Sequence, residues 1–234
     1  MSAVLLLRLC GPMQSWGTRS RFLVRDTEYE PSKSGVVGLL CAALGRPRSE
    51  PVADLASLKM GVRVDREGTL ARDFHTAQDV LRASGKGTST VVSHRYYLQD
   101  ADFLVGLEGD SDLLRRLEKK CRAPHWPLYL GRKAFLPVPT PETGIPVLVG
   151  VVESGTLQEV LSAHPWYRRR APGLRAKSPD PPESLRVVRD AEPGESNEVR
   201  PDVPLDFAAR SFGVRHVVTT FCSGFPVEDH PWFT

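Results

Sequence analysis

Three short segments bring glycine, cationic side chains and aromatic rings into the same few residues: Gly11 to Gly17, Pro31 to Gly38, and His125 to Lys133. That mixture suits a surface cradling a single-stranded polynucleotide, because glycine permits close approach, cations neutralise phosphate and rings stack on bases. In the first segment Gln14 offers an amide to a base edge and Trp16 an indole to a base face. Trp16 plugging the end of the core is the alternative. In the second, Ser32, Lys33, Ser34 and Gly35 fall at a helix start, where free N–H groups and the helix dipole favour an anion. An ordinary cap with a solvated lysine has the same composition. In the third, Tyr129, Leu130, Gly131, Arg132 and Lys133 set two cations beside a glycine and a ring, and arginine adds a fork that matches phosphate. A charged surface turn is again the alternative.

The elements that must position these segments follow from apolar spacing. Ala3 to Leu9 is an almost unbroken aliphatic run, as in a central strand buried on both faces. Gly11, Pro12 and Gly17 break it, and a basic stretch through Arg19, Arg21 and Arg25 reads as a long exposed loop up to Pro31. Val36, Leu39, Leu40, Ala43 and Leu44 recur at helical spacing, with Ser32 as N-cap and Gly45 as stop. Lys59 to Arg66 and Thr69 to Thr76, joined through Glu67 and Gly68, predict a hairpin. Ala83 to Thr90 predicts a projection, Asp102 to Leu107 a strand, and Leu113 to Cys121 a helix. This order matches an α+β, ferredoxin-like sheet of the kind RNA-recognition modules share. Beyond Pro137, a strand is expected at Pro146 to Glu153. Eight prolines between 164 and 206 argue against regular structure there, and Phe207 to Thr220 closes the sheet.

At 234 residues, 41% hydrophobic and 25% charged, the chain fills one large domain or two small ones. Its longest apolar runs fall well short of the roughly 20 residues a membrane helix needs, so no membrane contact is expected. Cys10, Cys41, Cys121 and Cys222 form no C-x-x-C pair, which argues against zinc and disulfides and for a reducing, cytoplasmic setting. A net charge of +3 does not by itself argue for nucleic acid. Metal-free RNA cleavage would need a base, an acid and a cation around one phosphate. His94, Tyr96, Tyr97 and Lys86 are candidates, but the chain has no adjacent lysine and histidine. Asp73 and His75 alternate on an expected strand without a third metal ligand, and Gly85-Lys86-Gly87-Thr88 lacks the upstream glycine of a P-loop. The expectation is a non-enzyme with no metal and no cofactor.

Five motifs in order carry a resemblance: Arg8-Leu-Cys-Gly-Pro-Met-Gln-Ser-Trp-Gly17, Pro31-Ser-Lys-Ser-Gly-Val-Val-Gly-Leu-Leu40, Arg72-Asp-Phe-His-Thr76, Tyr97-Leu-Gln-Asp100 and Tyr129-Leu-Gly-Arg-Lys133. Over residues 3 to 140 the chain resembles the CasD subunits of the type I-E CRISPR Cascade complex, the Cas-five family. The resemblance implies an RRM-like, ferredoxin-like domain over 1–140, with a thumb insertion at about 78–95. It also implies a smaller β-rich C-terminal lobe over 141–234, with a Pro-rich loop at about 164–206. It implies a subunit that caps the 5′ handle of the guide RNA (crRNA), beside CasC backbone subunits and the CasA large subunit, and that meets target DNA only through the complex. The RNA-contacting set expected is Gln14, Trp16, Arg21, Lys33, Ser34, Arg95, Tyr129, Arg132 and Lys133. Arg168, Arg169 and Arg170 could add nonspecific affinity.

Overall fold

The computed structural model describes residues 2–18, 24–168, 180–195 and 198–229. In chain order the elements are β1 (Ser2–Cys10), β2 (Met13–Gln14), β3 (Val24–Arg25), α1 (Lys33–Leu44), α2 (Ala53–Ala56), β4 (Lys59–Arg66), β5 (Thr69–Leu81), β6 (Thr88–Gln99), β7 (Asp102–Asp110) and α3 (Ser111–Arg122). There follow β8 (Leu148–Val152), α4 (Leu157–Ala163), β9 (Trp166–Arg168), β10 (Leu185–Asp190), β11 (Glu198–Asp206), β12 (Ser211–Cys222) and β13 (Val227–Asp229). The fold is α+β and mostly sheet.

A seven-stranded sheet in the order β11-β12-β10-β4-β7-β1-β8 forms the body. β1 is buried from Ala3 to Cys10 because both of its faces are covered. Leu5, Leu7 and Leu9 belong to the cluster built with α1 and α3, while Val4 and Leu6 belong to a second cluster with Leu157 and Leu161 of α4. This two-sided packing is why the strand reads as a continuous apolar run rather than an alternating one. α1 begins and ends as expected: the Ser32 hydroxyl accepts from Gly35 N, and Gly45 closes the helix in the left-handed region at φ 76°.

Several expectations need correction. β4 and β5 both exist but do not pair; β4 lies between β7 and β10, whereas β5 pairs with β6. Glu67 and Gly68 therefore hand the chain from the main sheet to a smaller one, in which β6 lies between β2 and β3 and also pairs with β5. The β5–β6 hairpin runs from Thr69 to Gln99, wider than the 78–95 insertion expected, and β5 is exposed along nearly its whole length. Of the exposed loop expected through Arg19, Arg21 and Arg25 up to Pro31, residues 19–23 lie outside the described residues, and Val24–Arg25 form the exposed β3; just before it, Gln14, Ser15 and Trp16 are buried. Nor is 164–206 devoid of structure: it holds β9, β10 and β11. Its prolines misled because Pro201 and Pro204 lie in β11, an edge strand, where a missing N–H is tolerated. The main sheet also runs across the expected boundary at 140, since β8, β10, β11 and β12 all join it.

One buried ionic cluster ties the sheet to the segments on its margin. Arg8 of β1, 1% exposed, has Nη1 2.9 Å from Asp65 and 3.4 Å from Asp102, and Nε 3.0 Å from Glu142. Arg63 of β4 holds Asp65 at 2.7 Å and donates to the carbonyls of Leu161, His164 and Pro165.

Candidate nucleic-acid interface

β2 and the residues after it, β3, the start of α1 and the 129–135 turn converge on one side of the molecule. Ser15 N donates to Leu130 O (3.1 Å), and the Ser15 hydroxyl donates to Tyr96 O and Asp26 O. The 129–135 turn is tight: Leu130 N donates to Phe135 O and Phe135 N to Arg132 O. Gly131 sits at φ 90°, and a Cβ built there would stand 1.8 Å from Ser15 O, so this turn and the β2 loop can meet only through a glycine.

Between these segments lies a cleft of about 410 Å³ lined by Gly17, Arg25, Ser34, Gly35, Arg48, Gly131, Arg132, Phe207 and Phe212, among others. Arg132 is aimed by its own backbone neighbours. Its Nη2 donates to Tyr96 O (2.7 Å) and Arg25 O (3.3 Å), and its Cζ stands 5.4 Å from the centroid of the Phe135 ring. Burial, then the charge of Arg95 and to a lesser degree that of Arg25, hold its pKa below the usual arginine value against the opposing pull of Asp73 and Asp26. Among the described residues, Arg25, Arg48, Arg95 and Arg132 form no salt bridge. Asp26 also lines the cleft, and the charges of Asp26 and Asp73 partly offset the repulsion at Arg132; like charges gathered in this way become favourable when an anion neutralises them.

The expected contact residues divide sharply. Arg132 and Ser34 line the cleft, and Arg95 stands close enough to perturb Arg132. Lys133 is exposed and Tyr129 half-buried in the same turn. Gln14 and Trp16 are corrections, because both side chains are fully buried. The Gln14 amide nitrogen donates to Leu9 O and Ala101 O, and its oxygen accepts from the Trp16 indole N–H, so no group is left for a base edge. Trp16 packs on Gly35, where a Cβ would stand 2.7 Å from the indole; it is the core plug, not a stacking face.

Lys33 is also a correction. It is 5% exposed, and its Nζ pairs with Asp190 at 3.1 Å. The anion at the start of α1 is supplied from within: Lys33 N donates to Asp202 Oδ2 (2.8 Å), and Arg215 grips the same carboxylate through two bonds of 2.7 and 2.9 Å. A phosphate would have to displace Asp202 to dock there. Arg21, Arg169 and Arg170 lie outside the described residues, and Arg168 pairs with Asp229 at 3.7 Å. Sequence reading missed Arg48, Phe207 and Phe212; the Gly45-Arg-Pro-Arg48 stretch past the helix stop was the available signal for the first.

Of the nuclease candidates, His94 lies mid-strand on β6 against the Phe74 ring, centroids 5.6 Å apart. Lys86 precedes β6, and the six steps from Thr88 to His94 alone span about 20 Å of strand. The two do not share one phosphate.

Cationic side chains thus gather around one cleft at the margin of an α+β sheet, a composition suited to binding an anion. Residues 4–218 match the family described as CRISPR-associated protein (Cas_Cas5), and the chain belongs to that family. It is 35% identical over 151 residues to the CRISPR system Cascade subunit CasD of Escherichia coli (strain K12), covering 57% of this chain and 67% of that one. Among solved structures, a crystal structure of a Cas protein superposes with a TM-score of 0.72 at 40% identity, covering 95% of this chain and 97% of the other. A chain of a CRISPR RNA-guided surveillance complex gives 0.74 at 32% identity, covering 94% and 90%.

Proposed function

We propose that this chain is a non-catalytic, cytoplasmic subunit of a Cascade-type surveillance complex, where it caps the 5′ handle of the guide RNA beside a CasC backbone subunit and the CasA large subunit. The observation that carries this reading is the Arg132 guanidinium, fixed by two carbonyls in a cleft it shares with Arg25 and Arg48, close to Arg95, and in no salt bridge among the described residues. Contacts come from Arg132, Ser34, Arg95, Lys133 and Tyr129, with Arg25 and Arg48 added, and they grip the RNA backbone rather than read its sequence. The order β8-β1-β7-β4, with α1 following β1 and α3 following β7, supports a ferredoxin-like reading of the core. The long β5–β6 hairpin supplies the thumb. The separation of Lys86 from His94 favours capping over cleavage of the precursor.

Arg132→Glu tests this. The variant is expected to bind a single-stranded RNA about tenfold or more weaker, and to lower the slope of log K against log salt by about one. A titration series across salt concentrations measures both; wild-type affinity and slope would remove the cleft from the interface.

A further inference from the structure

Trp126 lies outside the cleft. It is 42% exposed, and scattered exposed apolar residues are ordinary on protein surfaces. This one, however, is rigidly presented. His125 N and Trp126 N donate to Ala43 O (3.0 Å) and Ala42 O (3.1 Å), near the end of α1. The His125 ring packs on Gly45, where a Cβ would stand 2.7 Å from its Cγ, and meets the indole edge-on at 5.1 Å. Pro124 and Pro127 bracket the pair. An aromatic face fixed in this way has little conformational entropy left to lose on binding.

The chain on either side of it is rich in cations. The last turn of α3, just upstream, carries Lys119, Lys120 and Arg122, of which Arg122 pairs with Glu118. Lys119 and Lys120 form no salt bridge among the described residues. Arg48, three residues past the Gly45 that His125 covers, also lines the cleft. Trp126 stands five residues from Gly131 of the cleft, at most about 18 Å of chain. An exposed tryptophan can equally anchor a protein partner, but the cores of protein interfaces are depleted of charge and especially of lysine. Lys119 and Lys120 shortly before the ring in sequence, and the cationic cleft shortly after it, favour a polyanion.

We propose that Trp126 is a second stacking platform for single-stranded RNA, holding a base a few nucleotides beyond the phosphate at Arg132, with Arg48 following the backbone between them. This rests on the reading of the cleft given above. The test uses the full chain and a labelled single-stranded RNA of about 12 nucleotides, within the site sizes such binders cover. Trp126→Ala is expected to weaken binding about tenfold while leaving the salt slope unchanged, because stacking releases no counterions. Trp126→Phe keeps a stacking face and should stay within about twofold of wild type. RNA should also quench part of the intrinsic indole fluorescence, and that part should vanish in Trp126→Phe. Wild-type affinity in Trp126→Ala, alongside weakened binding in Arg132→Glu, would overturn the platform and leave the cleft standing. So would unchanged RNA binding combined with lost binding to another subunit, which would make Trp126 a protein contact.

Discussion

Gly131→Ala is expected to cost about 2–4 kcal/mol and to abolish tight RNA binding while most of the sheet stays folded. The left-handed backbone at φ 90° accounts for only part of that. The larger part is that the new methyl would fall inside the Ser15 carbonyl, 1.8 Å from its oxygen, so a backbone segment rather than a flexible side chain must move. If the turn swings away, it loses the bond from Ser15 N to Leu130 O and takes Arg132 off the carbonyls of Tyr96 and Arg25. Thermal unfolding measures the first effect and a binding titration the second. Wild-type affinity in a folded variant would show that the turn's position does not matter to the ligand.

Arg8→Leu should be the most damaging single change to the body, at about 3–5 kcal/mol, enough to unfold a marginal domain at moderate temperature. Burial alone would lower the arginine's pKa, but Asp102, Asp65 and Glu142 outweigh it and raise the value. Removing the cation leaves buried carboxylates facing one another. Asp65 keeps Arg63; Glu142, which burial already pushes above its usual range, would take up a proton. Arg8→Leu should therefore recover stability as pH falls toward the carboxylate range, relative to wild type, because protonation removes the unpaired charge. Denaturant titrations at two pH values test this; a deficit independent of pH would mean that the loss is one of packing.

Much of the framework could be read from the residues because its signals are local. The caps of α1 at Ser32 and Gly45, the apolar run of β1 and the spacing of α3 depend on neighbours within a few positions. Strand partners do not. Nothing between Lys59 and Thr76 announces that β4 pairs with β7 and β10 while β5 leaves for another sheet, so two correctly placed strands were joined into the wrong hairpin. The site divided along the same line. Arg132 and Lys133 sit in a turn whose glycine and charges mark a surface. Lys33 and Trp16 carry the same composition but are covered by Asp190, Asp202 and Gly35, and two of these lie more than 150 residues away. Burial of a lysine by a distant aspartate leaves no trace near the lysine.

The bond from Lys33 N to Asp202 spans 169 residues of chain. A nascent polypeptide can wind this helix early, but its first turn stays incomplete until Asp202 has been synthesised and β11 has joined the sheet. Long-range closures of this kind slow folding, and the half-made sheet is exposed in the meantime. The start of α1 is thereby tied to the strand that carries Asp202, so a chain cut before β11 would leave that helix end without its anion.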